Sequence, residues 1–389
     1  MSDADKKLNV CRVATVPIAV LGHKHQFEEL SEIGVSITLV CSKGKGFEKL
    51  PQNDLLKLFP IELKREISPI SDLISIFKLF MFFKNNNFDI VHSNTPKAGV
   101  LVAISAWLAA VPIRIHTFTG QRWVSTKGLK KHLLVICDKL ISMLNTHSFT
   151  DSHSQREFLI QSNILSALNS SCLGRGSFSG INTEKFNQNK VNTGAVREKL
   201  SLHSDDLVIG YIGRIVKDKG IDDLVEVYQE LKEENKNIKL LLVGPEETES
   251  DFVDKKTKEI ILKDPNIITT GHVSDPENYL GVMNLFVLPS RREGFPTVIL
   301  EANALKIPSI ASDIVGTRDT IVDGVTGFLT PLNNNDALKE KIKLLLTNKE
   351  LAKKFGEAGF QRVNKEFSSK KMTSLLATSY LNLKRHSHV

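Results

Sequence analysis

Four side chains in the second half of the chain have the types and spacing to handle a phosphorylated sugar. Glu293 and Glu301 bracket the stretch EGFPTVILE, and Arg214 and Lys219 project from the stretch GRIVKDKG. A guanidinium offers a fork for phosphate oxygens and an ammonium a mobile point charge, so the pair suits a diphosphate. Gly294, Phe295 and Pro296 open a helix, with Pro296 suited to its first position because a missing N–H there leaves no bond unmade. The N–H groups of that helix start, at the positive end of its dipole, suit an anion as well. Two carboxylates beside a phosphate would repel it, so Glu293 and Glu301 are expected to meet hydroxyl groups, as a sugar presents them. The competing expectation is that the glutamates sit solvated at a helix end and Arg214 and Lys219 in a solvated loop.

Such residues need elements that bring them to one edge. Leu207–Tyr211, Lys239–Val243 and 266–270 read as strands, as does a run from Leu285 that ends at Pro289, with helices at Ile221–Glu234 and near 251–263 and a loop over 244–250. The first half alternates likewise. Strands are expected at 9–20, 35–41, 60–63, 88–92 and 113–118, and helices at 71–84 and 95–110, with Gly34 closing the helix before the second strand. Strand, helix, strand without hairpin turns indicates parallel sheets. The expected fold class is therefore α/β, two facing Rossmann-like doubly wound domains across an interdomain cleft, with ligands at the strands' C-terminal ends. The Gly- and Ser-rich crossing CLGRGSFSGINTEKF places the boundary between residues 1–180 and 181–368. A helix is expected over 337–360, and the helix in 369–389 is expected to pack back on the first domain.

Composition narrows the function classes. The 389 residues are 41% hydrophobic and 24% charged, as in soluble globular proteins. Cys11, Cys41, Cys137 and Cys172 are scattered without metal-ligand or disulfide spacing and read as reduced thiols of a cytoplasmic protein. The opening MSDADKKLNV is polar, unlike a secretory signal. The most apolar runs are about a dozen residues, against roughly 20 for a membrane span. Residues 1–180 hold 21 Lys and Arg against 14 Asp and Glu, while the rest hold 30 against 30, so the first half carries the whole +7 excess. That excess points to an acidic partner such as an anionic membrane surface. The segments SDLISIFKLFMFFK and KGLKKHLLVICDKLISMLNT are expected to be either core or lipid-facing. Nucleic acid is not expected, for want of aromatic-interleaved basic clusters. No GxGxxG or Walker loop is present, which argues against a nicotinamide cofactor and P-loop phosphoryl transfer.

The run EGFPTVILE resembles the E-x7-E signature of retaining glycosyltransferases of family 4, which have the GT-B fold. GRIVKDKG is similar to that family's G-R-x4-K-G loop, LLLVGP to its strand ending in Gly244, and VGTRDTIVDGVTGFL to its glycine-rich tail. The stretch VHSNTPKAGVLVAISAWLAAVPIRIHTFTGQRWVSTKG resembles bacterial members that build O-antigen, capsule or other surface glycans on a polyprenyl-diphosphate carrier.

The resemblance implies a UDP-sugar co-substrate, a lipid-linked glycan acceptor, retention of anomeric configuration, and no metal or other cofactor. Arg214 and Lys219 would hold the diphosphate, with backbone at Gly213, Gly294, Phe295, Pro296 and Thr297 around it. Glu301 would take the ribose and Glu293 the hexose, and backbone near His272 and Val273 would meet the base. Two departures from the family pattern stand out. Its Gly-Gly loop after the first strand is here Leu21, Gly22 and His23, leaving one glycine for the donor phosphate. Its T-x-H-G histidine is replaced by Thr119, with His116 three residues earlier as the catalytic candidate or, equally, a strand histidine of the core. A sugar-nucleotide epimerase of the same fold and an inactive donor-binding scaffold are the competing readings, separated by UDP release with and without acceptor.

Overall fold

The computed structural model describes residues 8–64, 66–246 and 252–387. The opening polar residues and most of the loop expected over 244–250, with position 251, lie outside them. Two compact units result: residues 1–180 with 369–389, and residues 181–368.

The first unit holds seven strands, β1 (Asn9–Val13), β2 (Ser36–Cys41), β3 (Leu56–Pro60), β4 (Ile90–Ser93), β5 (Ile113–Phe118), β6 (His147–Thr150) and β7 (Ser170–Cys172). They form one parallel sheet in the order β3-β2-β1-β4-β5-β6-β7. The alternation of the pleat splits β1 between two cores. Val10 faces Phe27, Leu30 and Tyr380 on one side, and Cys11 and Val13 face Leu79, Val102 and Ala106 on the other. The second unit holds β8 (Leu207–Ile212), β9 (Ile238–Val243), β10 (Ile267–Thr269), β11 (Leu285–Leu288), β12 (Ser309–Ser312) and β13 (Gly327–Thr330). Its sheet is parallel in the order β10-β9-β8-β11-β12-β13. Strands with both faces covered explain runs such as IKLLLV, buried almost throughout. The fold class is the expected one, α/β with two Rossmann-like sheets.

Several boundaries differ from the sequence expectation. The first strand stops at Val13, because Pro17 cannot donate to a ladder and instead opens a short helix, Pro17–Leu21. β3 spans 56–60 rather than 60–63, and Pro60 closes it on a sheet edge where a missing N–H is tolerated. Pro296 is the N-cap and not the first helical residue, with the helix running Thr297–Ala304. The helix expected over 337–360 is two, Asn335–Thr347 and Lys349–Arg362, because the Asn348 side chain caps the second by accepting from the Leu351 N–H. The strand β7 and the helix Thr193–Lys199 carried no signal long enough to read.

Gly34 does end the helix Lys24–Glu32. At φ 89° its N–H bonds Ser31 and the Val35 N–H bonds Leu30, the paired closure that left-handed backbone allows. The final helix, Ser369–His386, belongs to the first unit. Its Tyr380 hydroxyl receives the Arg12 guanidinium (3.1 Å) and pairs with His92 Nδ1 (2.6 Å), and Ser369 donates to Glu29 (2.6 Å).

Candidate active site

In the second sheet the strand order reverses between β8 and β11, the kind of place where open parallel sheets bind ligands. The loop after β8 carries Arg214 and Lys219, and the loop after β11 carries Glu293. Buried Ile215 and Val216 pin the first loop, the Ile215 N–H bonding the Pro245 carbonyl (2.9 Å), which leaves Arg214 exposed. Two glycines are required by close approach. A Cβ on Gly244 (φ 140°) would run into the Gly213 carbonyl, and one on Gly220 (φ 70°) into that of Pro289. The backbones at the ends of β8, β9 and β11 thus touch directly.

Across this junction Lys219 Nζ lies 2.5 Å from Glu293 Oε1, both side chains mostly buried at 20 and 12% exposure. Beside them the Tyr211 hydroxyl donates to the Arg214 carbonyl (2.7 Å). Burial pushes that phenol well above its usual range, Glu293 adding to the rise and Arg214 opposing it. The Ser290 Oγ is fully buried with no hydrogen-bond partner among the described residues, an expensive state unless water or ligand meets it. Gly294 packs under Gly316, and the half-buried Phe295 turns its ring toward Phe367 (centroids 5.9 Å).

Glu301 sits one turn after Thr297 on the helix Thr297–Ala304, and its neighbours are Thr297, Lys185 and Glu277. Burial pushes its carboxyl up to about 7; Lys185 lowers it, Glu277 raises it further, and the Thr297 hydroxyl lowers it. Lys185 pairs with Glu277 at 3.2 Å. Neither was picked out from sequence: Lys185 lies in the crossing that was read only as a domain boundary, and Glu277 in a stretch without a recognisable signal. His272 is exposed just beyond β10, where Gly271 bridges Gly244, and Val273 packs partly on the core.

The candidates of the first unit lie elsewhere in kind. His116 is a buried residue of β5 whose Nδ1 meets Ser93 Oγ at 2.8 Å and whose ring abuts Phe118 edge-on. Burial lowers its pKa to about 3, so the imidazole is neutral. Thr119 follows the strand, its carbonyl accepting from Gln121 (2.6 Å) and Gln155. A small cavity touches His116, Thr119, Gln121, Trp123 and Asp138. Gly22 caps the helix Pro17–Leu21 at φ −59°, a conformation open to any residue, and a Cβ would fit there.

The two segments read as core or lipid-facing are helices Pro69–Asn85 and Gly128–Leu144, each packed against the helix Pro96–Leu108. Both are half core at most. Ile70, Leu73, Ile74, Phe77 and Met81 form an exposed stripe on the first, and Leu129, Leu133, Ile136 and Met143 on the second, beside Lys127, Lys130 and Lys131. Among the described residues no helix is long and apolar enough to cross a membrane, and no cluster of three or more His, Cys, Asp or Glu could hold a metal.

Comparison with known proteins bears on this geometry. Residues 192–362 match the family described as Glycosyl transferases group 1, and residues 24–167 the Glycosyl transferase 4-like domain. The capsular polysaccharide biosynthesis glycosyltransferase CapM of Staphylococcus aureus is 35% identical over 96% of this chain and 97% of its own. An Escherichia coli protein named UDP-Gal:alpha-D-GlcNAc-diphosphoundecaprenol alpha-1,3-galactosyltransferase is 28% identical over 87% of each chain. Among solved structures, a glycosyltransferase of Rickettsia africae superposes with a TM-score of 0.77 at 22% identity, over 97% of this chain and 99% of its own. HepE of Anabaena, solved with UDP and glucose, gives 0.79 at 16% identity, over 96% of this chain and all of its own. These likenesses show the fold, two Rossmann-like units of the GT-B type.

Proposed function

The chain belongs to the glycosyl transferases of group 1, and from that premise we propose that it moves a hexose or N-acetylhexosamine from a UDP-sugar to a polyprenyl-diphosphate-linked glycan. The observation that carries the reading is the Lys219–Glu293 pair at the switch point. In the absence of ligand each neutralises the other. A UDP-sugar separates them: its diphosphate takes Lys219 along with Arg214, and its hexose hydroxyls take Glu293. The helix start at Thr297 adds N–H groups toward the phosphate, and Glu301 accepts from the ribose.

With the anomeric carbon held there, the C1–O bond to the diphosphate breaks with oxocarbenium character. The acceptor hydroxyl forms its new bond from the same face and passes its proton to the departing phosphate oxygen, so configuration is retained. The large catalytic contribution is electrostatic, fixed cations meeting charge as it develops on the leaving group. They take the place a divalent ion would otherwise fill. The names of the S. aureus and E. coli relatives support a surface-polysaccharide role and a diphosphoundecaprenol-linked acceptor, and HepE's complex supports UDP. The two apolar, lysine-flanked helices of the first unit support a cytoplasmic protein resting on an anionic membrane face.

The test is UDP release from a panel of UDP- and GDP-sugars, with and without a lipid-diphosphate glycan. Acceptor-dependent release is expected; acceptor-independent formation of a free epimerised sugar, or wild-type rates in both Lys219→Ala and Glu293→Ala, would sink the proposal.

A further inference from the structure

Two arginines precede Glu293, and by type alone both are candidates for a phosphate. In the structure each is already committed to an aspartate. Arg292 lies 2.7 Å from Asp218. Arg291 lies 2.9 Å from Asp223, donates to the Lys217 carbonyl (3.1 Å), and gives its backbone N–H to the Asp218 carbonyl (2.9 Å). The four side chains are between 16 and 29% exposed, so water screens them less than an open surface pair.

The charges cross. Asp218–Lys219 on one loop reads minus, plus; Arg292–Glu293 on the other reads plus, minus; and the pairs formed are Asp218–Arg292 and Lys219–Glu293. The two pairs lie side by side, so the loops are tied at two adjacent points. The Gly220 backbone against the Pro289 carbonyl sets the floor of the same junction.

We infer that Asp218, Asp223, Arg291 and Arg292 are positioning residues, a clasp between the loop after β11 and the loop and helix start after β8 that holds Lys219 on target once the donor draws it away from Glu293. The inference rests on the proposed transfer reaction. Its physical basis is that a displacement of about 1 Å in a group aimed at the transition state costs up to roughly a hundredfold in rate.

The experiment uses the full chain carrying Asp218→Asn, Arg292→Gln, Arg292→Lys, or the exchange Asp218→Arg with Arg292→Asp. Asp218→Asn and Arg292→Gln are expected to lower kcat by roughly tenfold or more with a smaller change in KM for the UDP-sugar. Arg292→Lys keeps most of the rate, and the exchange recovers at least half of the logarithmic loss. A brace that serves only stability would lower Tm and leave kcat per folded molecule unchanged; that result, or an exchange no better than the two single losses combined, overturns the inference. UDP affinity, measured on the same variants, separates this inference from the reaction it rests on. If the wild type transfers no sugar, the transfer reading fails, while weaker UDP binding in the neutral variants with recovery in the exchange still supports the clasp. Equal UDP affinity in all variants then overturns it too.

Discussion

The loop after β11 is bound, at the switch point of the second sheet, to the loop and helix start after β8 by three ion pairs, Lys219–Glu293, Arg292–Asp218 and Arg291–Asp223. At the corresponding point of the first sheet, between β1 and β4, the junction is the Thr15 N–H on the Thr95 hydroxyl (3.3 Å), and no ion pair joins those loops among the described residues. The three histidines of that sheet, His92, His116 and His147, are held neutral chiefly by burial. The surfaces differ in the opposite sense. Among the described residues, 23 large hydrophobic side chains are exposed, 18 of them in the first unit and five in the second. One sheet edge carries fixed, paired charge between its loops. The other unit buries neutral histidines and the Arg12 guanidinium, which bonds the Tyr380 hydroxyl, and leaves its apolar side chains outside, as the proposed lipid-linked acceptor would require.

The contrast can be broken most directly at Lys219. Lys219→Ala should cut kcat by about two to three orders of magnitude, the usual cost of one preorganised donor to a leaving oxyanion; steady-state transfer assays would show it. Glu293→Gln should separate binding from turnover. With its partner uncharged, Lys219 is available to phosphate, so calorimetry should find UDP bound several-fold tighter while transfer slows by roughly tenfold or more. Equal or weaker UDP binding would mean that the pair does not compete with the donor.

Glu301 gives a pH test. Its folded-state pKa of about 7 lies above the ordinary 4.5, so folding takes up a proton between those values and stability falls as pH rises through that window. Glu301→Gln should therefore raise Tm at pH 8 by about 2–4 °C and leave it nearly unchanged at pH 4.5. The same variant should flatten a rise in UDP-sugar affinity between pH 6 and 8, since the charged carboxylate is the better acceptor for ribose hydroxyls. The smallest effect is expected on the first unit's surface. Leu133→Asp with Ile136→Asp should leave Tm nearly unchanged and transfer to a short soluble acceptor within about twofold, because both side chains are exposed. Co-sedimentation with phosphatidylglycerol vesicles should drop sharply; undiminished pelleting would assign those helices another partner.

The two units were also unequally legible in the sequence. In the second, residue types are dictated by backbone crowding, and GRIVKDKG and LLLVGP could be read because Gly220 and Gly244 admit no substitute. What stayed hidden there was pairwise. Asp218, Asp223, Lys185 and Glu277 act through partners far away in sequence, and no local pattern announces a partner. In the first unit the alternation of strands was clear, but β1 and β3 were misplaced around Pro17 and Pro60, where a proline starts one element or finishes another. The Phe-rich segment Ser71–Lys84 reads as apolar all round, and only packing shows that Leu79 and Phe83 go inward while Phe77 and Met81 do not.

The path of the chain carries one more consequence. It leaves the first unit at Gly180, completes the second, and returns at Ser369 with the helix that supplies Tyr380 to Arg12 and His92. During synthesis the second unit, contiguous in sequence, can therefore close while the first still waits with a buried guanidinium lacking its hydroxyl. A ribosome that stops near position 368 would release a complete second unit joined to an unfinished first one. Nonsense mutations late in the reading frame should on this account be read as lesions of the amino-terminal half, and chaperone dependence should fall on that half as well.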